Sequence, residues 1–532
     1  MTRGRAPFAG RRRMPSDAGF YTRILHPRLL VGHHRGILAA MESMPATNPD
    51  APHAFGRARL IAIAAGPLVG LSLWALEPGG LAGASAAVLG VAVWMAIWWI
   101  TECLPLAITA LLPIALFPPM GVATTREAAA SFANEVVFLY LGGFFLAAAL
   151  EHWHAHHRIA LGVIGAVGTS SRRLVLGVML ATAFVSMWIS NTATAAMMYP
   201  IAMAIGALFG SGEAARSQRV ALLLGVAFAA SIGGMATLLG TPPNLIMAGA
   251  ARELIGVNVD FFMFLKFGLP VAAILLPVCW VLLVFVFHRE RIELGADGLE
   301  VLRAKRAALG RLTGGERNVV IVFICMALAW FFREPKEIGS LLIPGLTSVM
   351  TSLTDAGIAL IGGIALFLVP GRQRDGGARP LLTWREAREI PWDVLLLFGG
   401  GLSLAAAMES SGLAAQIGVW MGGLQGLPLP VVLIGVSAAT VVVSELASNA
   451  ATASMGMPIA VSLAQALDQP PLMLMMLVGL SASIGFALPM ATPPNAIVFG
   501  SGEVTVRDMA RAGLAMDVIG ILVVVGVVLV VF

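Results

Sequence analysis

Long apolar runs separated by short polar stretches follow one another along the chain from residue 60 to the C-terminus. A helix that crosses the hydrocarbon core of a bilayer needs about 20 consecutive, mainly apolar residues. Eleven runs approach this length and predict transmembrane helices at residues 60–76, 84–100, 104–118, 135–152, 220–239, 261–287, 318–332, 355–370, 392–409, 471–490 and 512–531. Since the backbone must satisfy its own hydrogen bonds in lipid, the predicted fold class is an all-α polytopic membrane protein.

Two further apolar stretches, 174–209 and 431–466, are each interrupted at the middle by a polar motif. The first motif is Ser-Asn-Thr-Ala-Thr beginning at Ser190, and the second is Ser-Asn-Ala-Ala-Thr beginning at Ser448. Small hydroxyl and amide side chains at this depth are typical of a chain that turns back inside the membrane. Both stretches are therefore predicted to be re-entrant helical hairpins with the motif at the tip.

The two halves of the chain are copies of each other. The offset between the Ser-Asn motifs is 258 residues (448 − 190), and the same offset aligns Gly142 with Gly400, Glu151 with Glu409, Ser186 with Ser444, Thr194 with Thr452 and Pro200 with Pro458. A Thr-Pro-Pro-Asn motif also occurs twice, at Thr241 and Thr492, with an offset of 251 (492 − 241). The crossings before the hairpins are the fourth and the ninth, so corresponding helices run in opposite directions. This is the inverted-repeat plan of many secondary transporters.

Composition agrees with this organisation, because 58% of the residues are hydrophobic and 12% are charged, against about 25% charged in a soluble domain. Four regions are predicted: a disordered basic tail (1–57), a first half with six transmembrane helices and one hairpin (58–287), a cytoplasmic linker (288–317), and a second inverted repeat with five helices and one hairpin (318–532). One of the six helices in the first half lies outside the repeat.

The N-terminal tail leaves three interpretations open. It is rich in arginine and contains no apolar run long enough to span a membrane, which favours a disordered cytoplasmic segment. A transit peptide would also be arginine-rich and poor in acidic residues. Translation could alternatively begin at Met41 or Met44, which would remove most of the tail.

The basic residues predict the orientation. The formal net charge is +5, and nearly all Lys and Arg residues beyond the tail fall on the side that carries the N-terminus, in segments 158–173, 216–219, 288–317, 372–388 and 507–511. Cytoplasmic loops carry such an excess. The N-terminus is therefore predicted in the cytoplasm and the C-terminus outside, in a bacterial inner membrane, and the basic charge indicates no nucleic-acid partner.

The polar motifs predict ion and solute binding. Breaking a helix in the bilayer frees backbone carbonyls and amides that a cavity or an ion must satisfy. Carbonyl, hydroxyl and amide oxygens suit Na⁺, and the N-termini of half-helices favour an anion. No Lys or Arg occurs between Arg173 and Arg216 or between Arg388 and Arg507. An anionic substrate would need co-bound cations for neutrality, which favours symport with Na⁺.

The duplicated Ser-Asn and Thr-Pro-Pro-Asn motifs resemble those of the divalent anion:sodium symporter family, which includes sodium-dicarboxylate and sodium-citrate cotransporters. The resemblance extends from about Trp98 to the C-terminus and includes Thr101 to Pro105, Gly142-Gly143 and Ser444-Glu445. It implies a homodimer of eleven-helix protomers. In each protomer, a transport domain would move like an elevator against a scaffold domain and carry Na⁺ and a dicarboxylate.

The resemblance also implies site residues. The first sodium site would use Ser186, Ser190, Asn191 and the carbonyl of Gly240, and the second would use Ser444, Asn449 and the carbonyls of Ala447 and Ala491. The substrate carboxylates would contact Asn191, Thr192, Thr241, Asn449, Thr492 and Pro493. Ala450 departs from the family pattern, where a threonine is common. Glu445, beside the second hairpin tip, is expected to orient the loop of the second sodium site.

Other functions are weighed against this one. Either Ser-Asn motif alone could serve helix packing. An ATP-driven pump is disfavoured because no lysine follows a glycine, so a Gly-Lys-Ser/Thr phosphate loop is absent. An intramembrane enzyme is disfavoured because the His-Glu-x-x-His and Gly-x-Ser-x-Gly motifs are also absent. A channel, a sulfate or citrate transporter, and a sodium-independent dicarboxylate exchanger of the same fold stay open as alternatives.

Overall fold

The computed structural model describes residues 57–292 and 310–532, apart from residues 82, 156–157, 159–161, 163–169, 339–340 and 374–375. The predicted N-terminal tail lies outside the described residues except for Arg57, and so does most of the predicted linker. The helices of the first half are α1 (Arg57–Leu76), α2 (Ala84–Thr101), α3 (Leu106–Thr109), α4 (Leu112–Leu116), α5 (Thr125–Ala130), α6 (Glu135–His152), α7 (Ser171–Ser186), α8 (Asn191–Gly206), α9 (Glu213–Gly234), α10 (Pro242–Ile255) and α11 (Phe261–Val281).

The second half is helical as well. Its helices are α12 (Gly314–Phe331), α13 (Asp355–Leu368), α14 (Trp384–Ala387), α15 (Trp392–Ser410), α16 (Leu413–Met421), α17 (Leu429–Leu446), α18 (Asn449–Ala466), α19 (Pro471–Ser481), α20 (Pro493–Phe499) and α21 (Val506–Val531). Two small antiparallel hairpins connect helices: β1 (Lys336–Ile338) with β2 (Leu341–Ile343), and β3 (Pro370–Arg372) with β4 (Ala378–Pro380). Short 3₁₀ turns occupy Pro78–Gly80, Ser131–Ala133, Ala207–Phe209, Leu346–Ser348 and Gly422–Leu424, and α11 continues as a π-helix over Leu282–Phe287.

Membrane-length helices account for most of the fold. By length and composition, ten helical stretches in the described part of the chain could cross a bilayer. Two of these stretches, Asn191–Phe209 and Leu429–Leu446, are arms of the predicted hairpins. The all-α polytopic fold with two re-entrant hairpins is therefore confirmed.

The structure corrects the predicted crossing at 104–118. The segment is divided into the short helices α3 and α4, because Pro113 supplies no N–H to the turn before it and kinks the chain. Together Leu106–Leu116 extend for about 16 Å at 1.5 Å per residue, which is only about half of the hydrocarbon thickness. The predicted crossing at 355–370 is also short, since α13 ends at Leu368.

Two other predicted crossings are discontinuous helices. The segment 220–239 belongs to α9, which stops at Gly234 and resumes as α10 at Pro242. The segment 471–490 belongs to α19, which stops at Ser481 and resumes as α20 at Pro493. In both cases the chain restarts at a Pro-Pro pair, which suits the first turn of a helix because the N–H groups there need no helical partner.

The helices form two groups that pack against each other. The first group contains α1, α2, α3, α6, α12, α13 and α15, with α6 packed on α13 and α1 packed on α2. The second group contains both hairpins, both discontinuous helices, α11 and α21. Within it, α7 and α8 pack on α9, α18 packs on α19, and α11 packs on α21. The groups meet where α10 packs on α6 and α15, and where α18 packs on α2 and α15.

Candidate functional site

Each hairpin tip has a serine at the N-cap position of its second arm. The first hairpin, α7 with α8, turns at residues 187–190, and the Ser190 hydroxyl accepts the Ala193 N–H at 3.2 Å. The second hairpin, α17 with α18, turns at residues 447–448, where Ser448 occupies the N-cap position but its side chain makes no capping hydrogen bond to α18. Serine suits this position because its side-chain oxygen can replace a missing helical acceptor. The sequence motif therefore determines where each second arm begins.

Each tip holds a cluster of three oxygens. In the first repeat, the Ser186 hydroxyl lies 2.7 Å from Asn191 Oδ1 and 2.6 Å from the Ala230 carbonyl oxygen. A serine hydroxyl has one proton, so it can donate to only one of these two acceptors at a time. The cluster therefore holds three oxygen atoms close together with only one hydrogen atom between them. Hard cations such as sodium prefer oxygen ligands of this kind.

The second repeat reproduces the cluster. The Ser444 hydroxyl lies 2.8 Å from Asn449 Oδ1 and 2.6 Å from the Ala482 carbonyl oxygen. Both serines are fully buried. The two clusters therefore match in residue type and in distance to within about 0.1 Å, although they lie in opposite halves of the chain.

The discontinuous helices are held open by a second pair of asparagines. Asn244 Nδ2 donates to the carbonyls of Gly234 (2.9 Å) and Thr237 (2.7 Å). Asn495 Nδ2 makes the matching bonds to Gly485 (3.1 Å) and Leu488 (3.0 Å). Asn244 and Asn495, Gly234 and Gly485, and Thr237 and Leu488 are each separated by the same 251 residues. These asparagines satisfy carbonyls that the helix breaks set free.

The sequence prediction gave Asn244 and Asn495 no role. The sequence does contain a signal for both residues, because each is the last residue of the repeated Thr-Pro-Pro-Asn motif. Their Oδ1 atoms are buried and have no hydrogen-bond partner among the described residues. The hydroxyls of Thr194 and Thr452, also related by the repeat, share this property.

The first hairpin tip lies directly on the first helix break. A Cβ atom on Gly234 would be 2.2 Å from Asn191 Oδ1, so only glycine fits there. A Cβ on Gly240 would be 2.5 Å from the Gly234 carbonyl oxygen. The structure therefore brings together Ser186, Asn191 and Gly240 of the predicted first sodium site. The Ser190 hydroxyl caps α8 at the same tip.

The second tip is packed less tightly on its helix break. A Cβ on Gly485 would be 3.9 Å from Asn449 Oδ1 and 3.5 Å from the side chains of Ala491 and Thr492. Ser444, Asn449 and Ala491 of the predicted second sodium site are thus neighbours. Ala447, the fourth predicted residue, is buried at the tip, between α17 and α18.

The predicted substrate residues differ in exposure. Thr192 and Pro493 are exposed, and Asn191 and Asn449 are half-buried. Thr241 and Thr492 are buried, and Thr492 caps α20 by accepting the Asn495 N–H. Ala450, the residue that departs from the family pattern, is buried as well. Four of the six predicted residues therefore keep some exposed surface.

Carbonyl ends and amide ends of helices both meet at these loops. Helices α7, α9, α17 and α19 end there with their carbonyl groups, and α8, α10, α18 and α20 begin there with their amide groups. The carbonyl end of a helix carries about half a negative elementary charge and the amide end about half a positive one. The arrangement can therefore bind cations and an anion side by side without a lysine or arginine at the tips.

Contacts between the two helix groups surround the site. The Tyr140 hydroxyl on α6 donates to the Pro242 carbonyl at 3.0 Å, at the start of α10. At the other end of α10, Arg252 pairs with Glu135, and Asn134 donates to Glu253 at 3.2 Å. These polar contacts join α10 to α6 at both ends.

Known protein families match the chain over nearly its whole length. A family model described as the sodium:sulfate symporter transmembrane region matches residues 58–531. The sodium-dependent dicarboxylate transporter SdcS of Staphylococcus saprophyticus is 35% identical over 478 residues, which cover 88% of this chain and 91% of that protein. SdcS of Staphylococcus aureus strain USA300 is 35% identical over 482 residues, with coverages of 89% and 91%.

A solved transporter structure shares the fold at low sequence identity. MtrF of Neisseria gonorrhoeae, from a class of antimetabolite efflux pumps, superposes with a TM-score of 0.53 at 13% identity and covers 88% of this chain and 93% of its own. The YdaH transporter of Alcanivorax borkumensis gives a TM-score of 0.48 at 14% identity, with coverages of 89% and 97%. The likeness to MtrF shows the fold alone.

Proposed function

Because the chain belongs to the sodium:sulfate symporter family, we propose that it is a secondary active transporter that couples uptake of a C4 dicarboxylate, of the succinate, malate or fumarate type, to sodium ions. The observation that carries this proposal is the repeated oxygen cluster around Ser186 and Ser444. The relatives named as sodium-dependent dicarboxylate transporters support both the ion and the substrate class.

Two sodium sites are proposed, one at each hairpin tip. The first uses Ser186, Ser190, Asn191 and the carbonyl of Gly240, and the second uses Ser444, Asn449 and the carbonyls of Ala447 and Ala491. The paired oxygen clusters support this assignment, since each already presents several hard oxygen ligands. Sodium is the co-transported ion in this mechanism rather than a resident cofactor.

The dicarboxylate is proposed to bind between the two tips, at Asn191, Thr192, Thr241, Asn449, Thr492 and Pro493. The amide ends of the half-helices favour its carboxylates. The exposure of Thr192 and Pro493 supports access for a small solute. The adjacent sodium ions would neutralise the two negative charges, which is needed because the tips carry no Lys or Arg.

Transport is proposed to follow an elevator mechanism in a homodimer. The group of helices that contains both tips would move as the transport domain, and the group around α6 and α15 would be the scaffold. Polar contacts such as Arg252 with Glu135 support this division, because exposed ion pairs are weak enough to break and reform. The protein is proposed to lie in a bacterial inner membrane, with the N-terminus in the cytoplasm and the C-terminus outside.

Sodium coupling is the first testable prediction. Uptake of labelled succinate into proteoliposomes is expected to require a sodium gradient. If at least three Na⁺ accompany each dianion, uptake should also rise with an inside-negative potential, since one net charge across 100 mV corresponds to about 2.3 kcal/mol. Equal uptake in choline and sodium buffers would instead support the sodium-independent exchanger. If the protein transports sulfate or citrate in preference to succinate, the substrate is that anion and not a C4 dicarboxylate.

The position where the repeats differ gives a second prediction. Thr192→Ala is expected to raise the half-saturating succinate concentration about tenfold, because a hydroxyl bonded to a charged group contributes about 1.5 to 3 kcal/mol. Ala450→Thr adds a hydroxyl at the repeat-related position and is expected to change the same constant less. Both constants, for succinate and for Na⁺, would be measured in each variant.

The opposite result would contradict the substrate assignment at the tips. If Thr192→Ala leaves both constants unchanged while Ala450→Thr eliminates transport, the substrate lies nearer to the loops of Thr241 and Thr492. Conversion of Thr194 to Ala is a useful control, because it removes a buried hydroxyl two residues further along α8.

A further inference from the structure

Two buried carboxyl groups hold the second helix break. Glu445 at the end of α17 accepts the N–H groups of Ala487 (2.8 Å) and Leu488 (3.0 Å). Asp517 in the middle of α21 accepts the N–H of Phe486 at 3.1 Å. Three consecutive backbone amides are therefore bonded to acidic side chains, and both acids are more than nine-tenths buried.

The first repeat has no acid at either position. The offset of 258 places Met187 opposite Glu445. The offset between α11 and α21 follows from Gly268 and Gly513, each of which contacts the backbone of its helix break. That offset of 245 (513 − 268) places Ala272 opposite Asp517. The acidic pair is thus an asymmetric feature of an otherwise repeated site.

Helix length explains the need for the acids. In the first repeat, α9 continues to Gly234, which corresponds to Gly485. The amides that follow find carbonyl partners nearby: Met235 bonds to Ile232 (3.2 Å) and Ala236 bonds to Gly233 (3.0 Å). In the second repeat, α19 stops at Ser481, four residues earlier, so the equivalent amides need other acceptors. The two carboxyl groups supply them.

The two acids act on the same loop, because their carboxyl groups accept hydrogen bonds from the consecutive amides of Phe486, Ala487 and Leu488. A hydrogen bond from an amide to a charged carboxylate is about twice as strong as a neutral one. An ionisable group inside a membrane is costly and is by default a functional candidate.

The same loop leads to Ala491 of the proposed second sodium site, and the Ala491 N–H donates to the Leu488 carbonyl oxygen at 3.2 Å. Leu488 donates its N–H to Glu445 and accepts Asn495 Nδ2 at its carbonyl oxygen. Glu445 directly follows Ser444, whose hydroxyl contacts Asn449. The acids therefore fix the loop that precedes Ala491.

We propose that Glu445 and Asp517 are positioning residues for the second sodium site. They hold the loop from Phe486 to Leu488, which leads to Ala491, and so position the carbonyl oxygen that Ala491 contributes to the site. The first sodium site achieves its shape through helix hydrogen bonds and needs no acid. This inference rests on the sodium-coupled function proposed above.

The test compares Glu445→Gln and Asp517→Asn with the wild-type protein in proteoliposomes. Each variant is expected to raise the half-saturating Na⁺ concentration about tenfold or more, in line with loss of a charge-assisted hydrogen bond. The half-saturating succinate concentration, measured at saturating Na⁺, should stay within about twofold. Glu445→Met, which installs the residue of the first repeat, should be more harmful than Glu445→Gln, which retains one acceptor oxygen.

Two controls keep the outcome decisive. Glu409→Gln removes an exposed acid at the end of α15 and should leave all constants unchanged. Sodium-dependent thermal stabilisation of the purified variants reports ion binding without transport. If Glu445→Gln does not fold, the test relies on Asp517→Asn, because the amide oxygen of the introduced asparagine can still accept the Phe486 N–H.

The results separate this inference from the proposed function. A wild-type protein that transports succinate equally well without Na⁺ contradicts the function itself. A wild-type protein that requires Na⁺, together with variants whose sodium constant is unchanged or whose succinate constant shifts instead, overturns only the positioning role.

Discussion

Replacing either Asn191 or Asn449 with alanine is expected to reduce sodium-driven succinate uptake by about 100-fold or more, while the protein remains folded. Each amide oxygen belongs to an oxygen cluster with a buried serine, at 2.7 and 2.8 Å. Each asparagine is also proposed to contact the anion, so alanine removes a ligand of both the cation and the substrate. Loss of two contacts to charged groups amounts to roughly 3 to 6 kcal/mol. Initial uptake rates into proteoliposomes measure the effect.

Asn318→Ala provides the matched control for this prediction. The Asn318 amide donates to the Pro370 carbonyl at 2.8 Å, near the start of α12, and lies outside both hairpins. It should leave uptake nearly unchanged. Size-exclusion profiles would confirm that all three variants fold. Near-normal uptake by both the Asn191 and the Asn449 variants would mean that the Ser-Asn motifs serve helix packing.

A second large effect is expected from Gly234→Ala. The added methyl group would lie 2.2 Å from Asn191 Oδ1 and 2.9 Å from Asn191 Cγ, both far inside van der Waals contact. Asn191 must then move and lose its contact with Ser186, because packed cores give way little to an added methyl group. Uptake should fall by about tenfold or more, and the half-saturating Na⁺ concentration should rise, since roughly 1.5 to 3 kcal/mol of contact energy is lost.

Gly485→Ala is the internal control, because the repeat places Gly485 where Gly234 lies. Its added methyl group would have 3.5 Å to the nearest atoms, an ordinary contact distance. Uptake and the sodium dependence should therefore stay near those of the wild type. Equal damage by both alanine variants would show that the two helix breaks tolerate no side chain for a reason other than contact with the asparagine.

The sequence predicted the main architecture because the motifs have a direct structural meaning. Ser190 and Ser448 occupy the N-cap positions at the hairpin tips, and the Pro-Pro pairs begin the second half of each broken helix. These features depend on the residue type at one position, so they can be recognised without a structure. The offset of 258 residues then related the two tips to each other.

Other features depend on contacts that a linear pattern does not contain. The kink at Pro113 was hidden inside an apolar run, since hydrophobicity does not distinguish one continuous helix from two short ones. The early end of α19 at Ser481 also lies in an apolar stretch. Asp517 lies within a predicted crossing, and only the fold brings it, like Glu445, to the loop from Phe486 to Leu488. The roles of Asn244 and Asn495 required knowledge of which carbonyls the breaks leave free.

The meeting of helix ends at the tips has a consequence for how well the cell conserves its sodium gradient. Sodium that bound alone, or an anion that bound alone, would leave an unbalanced charge to be moved through the hydrocarbon core, which costs several kcal/mol or more. A fixed lysine or arginine at the tips would cancel the anion's charge and permit it to travel without sodium, but residues 174–209 and 431–466 contain neither. The chemistry of the proposed site is therefore expected to restrict leak on its own, so that an idle carrier dissipates little of the gradient.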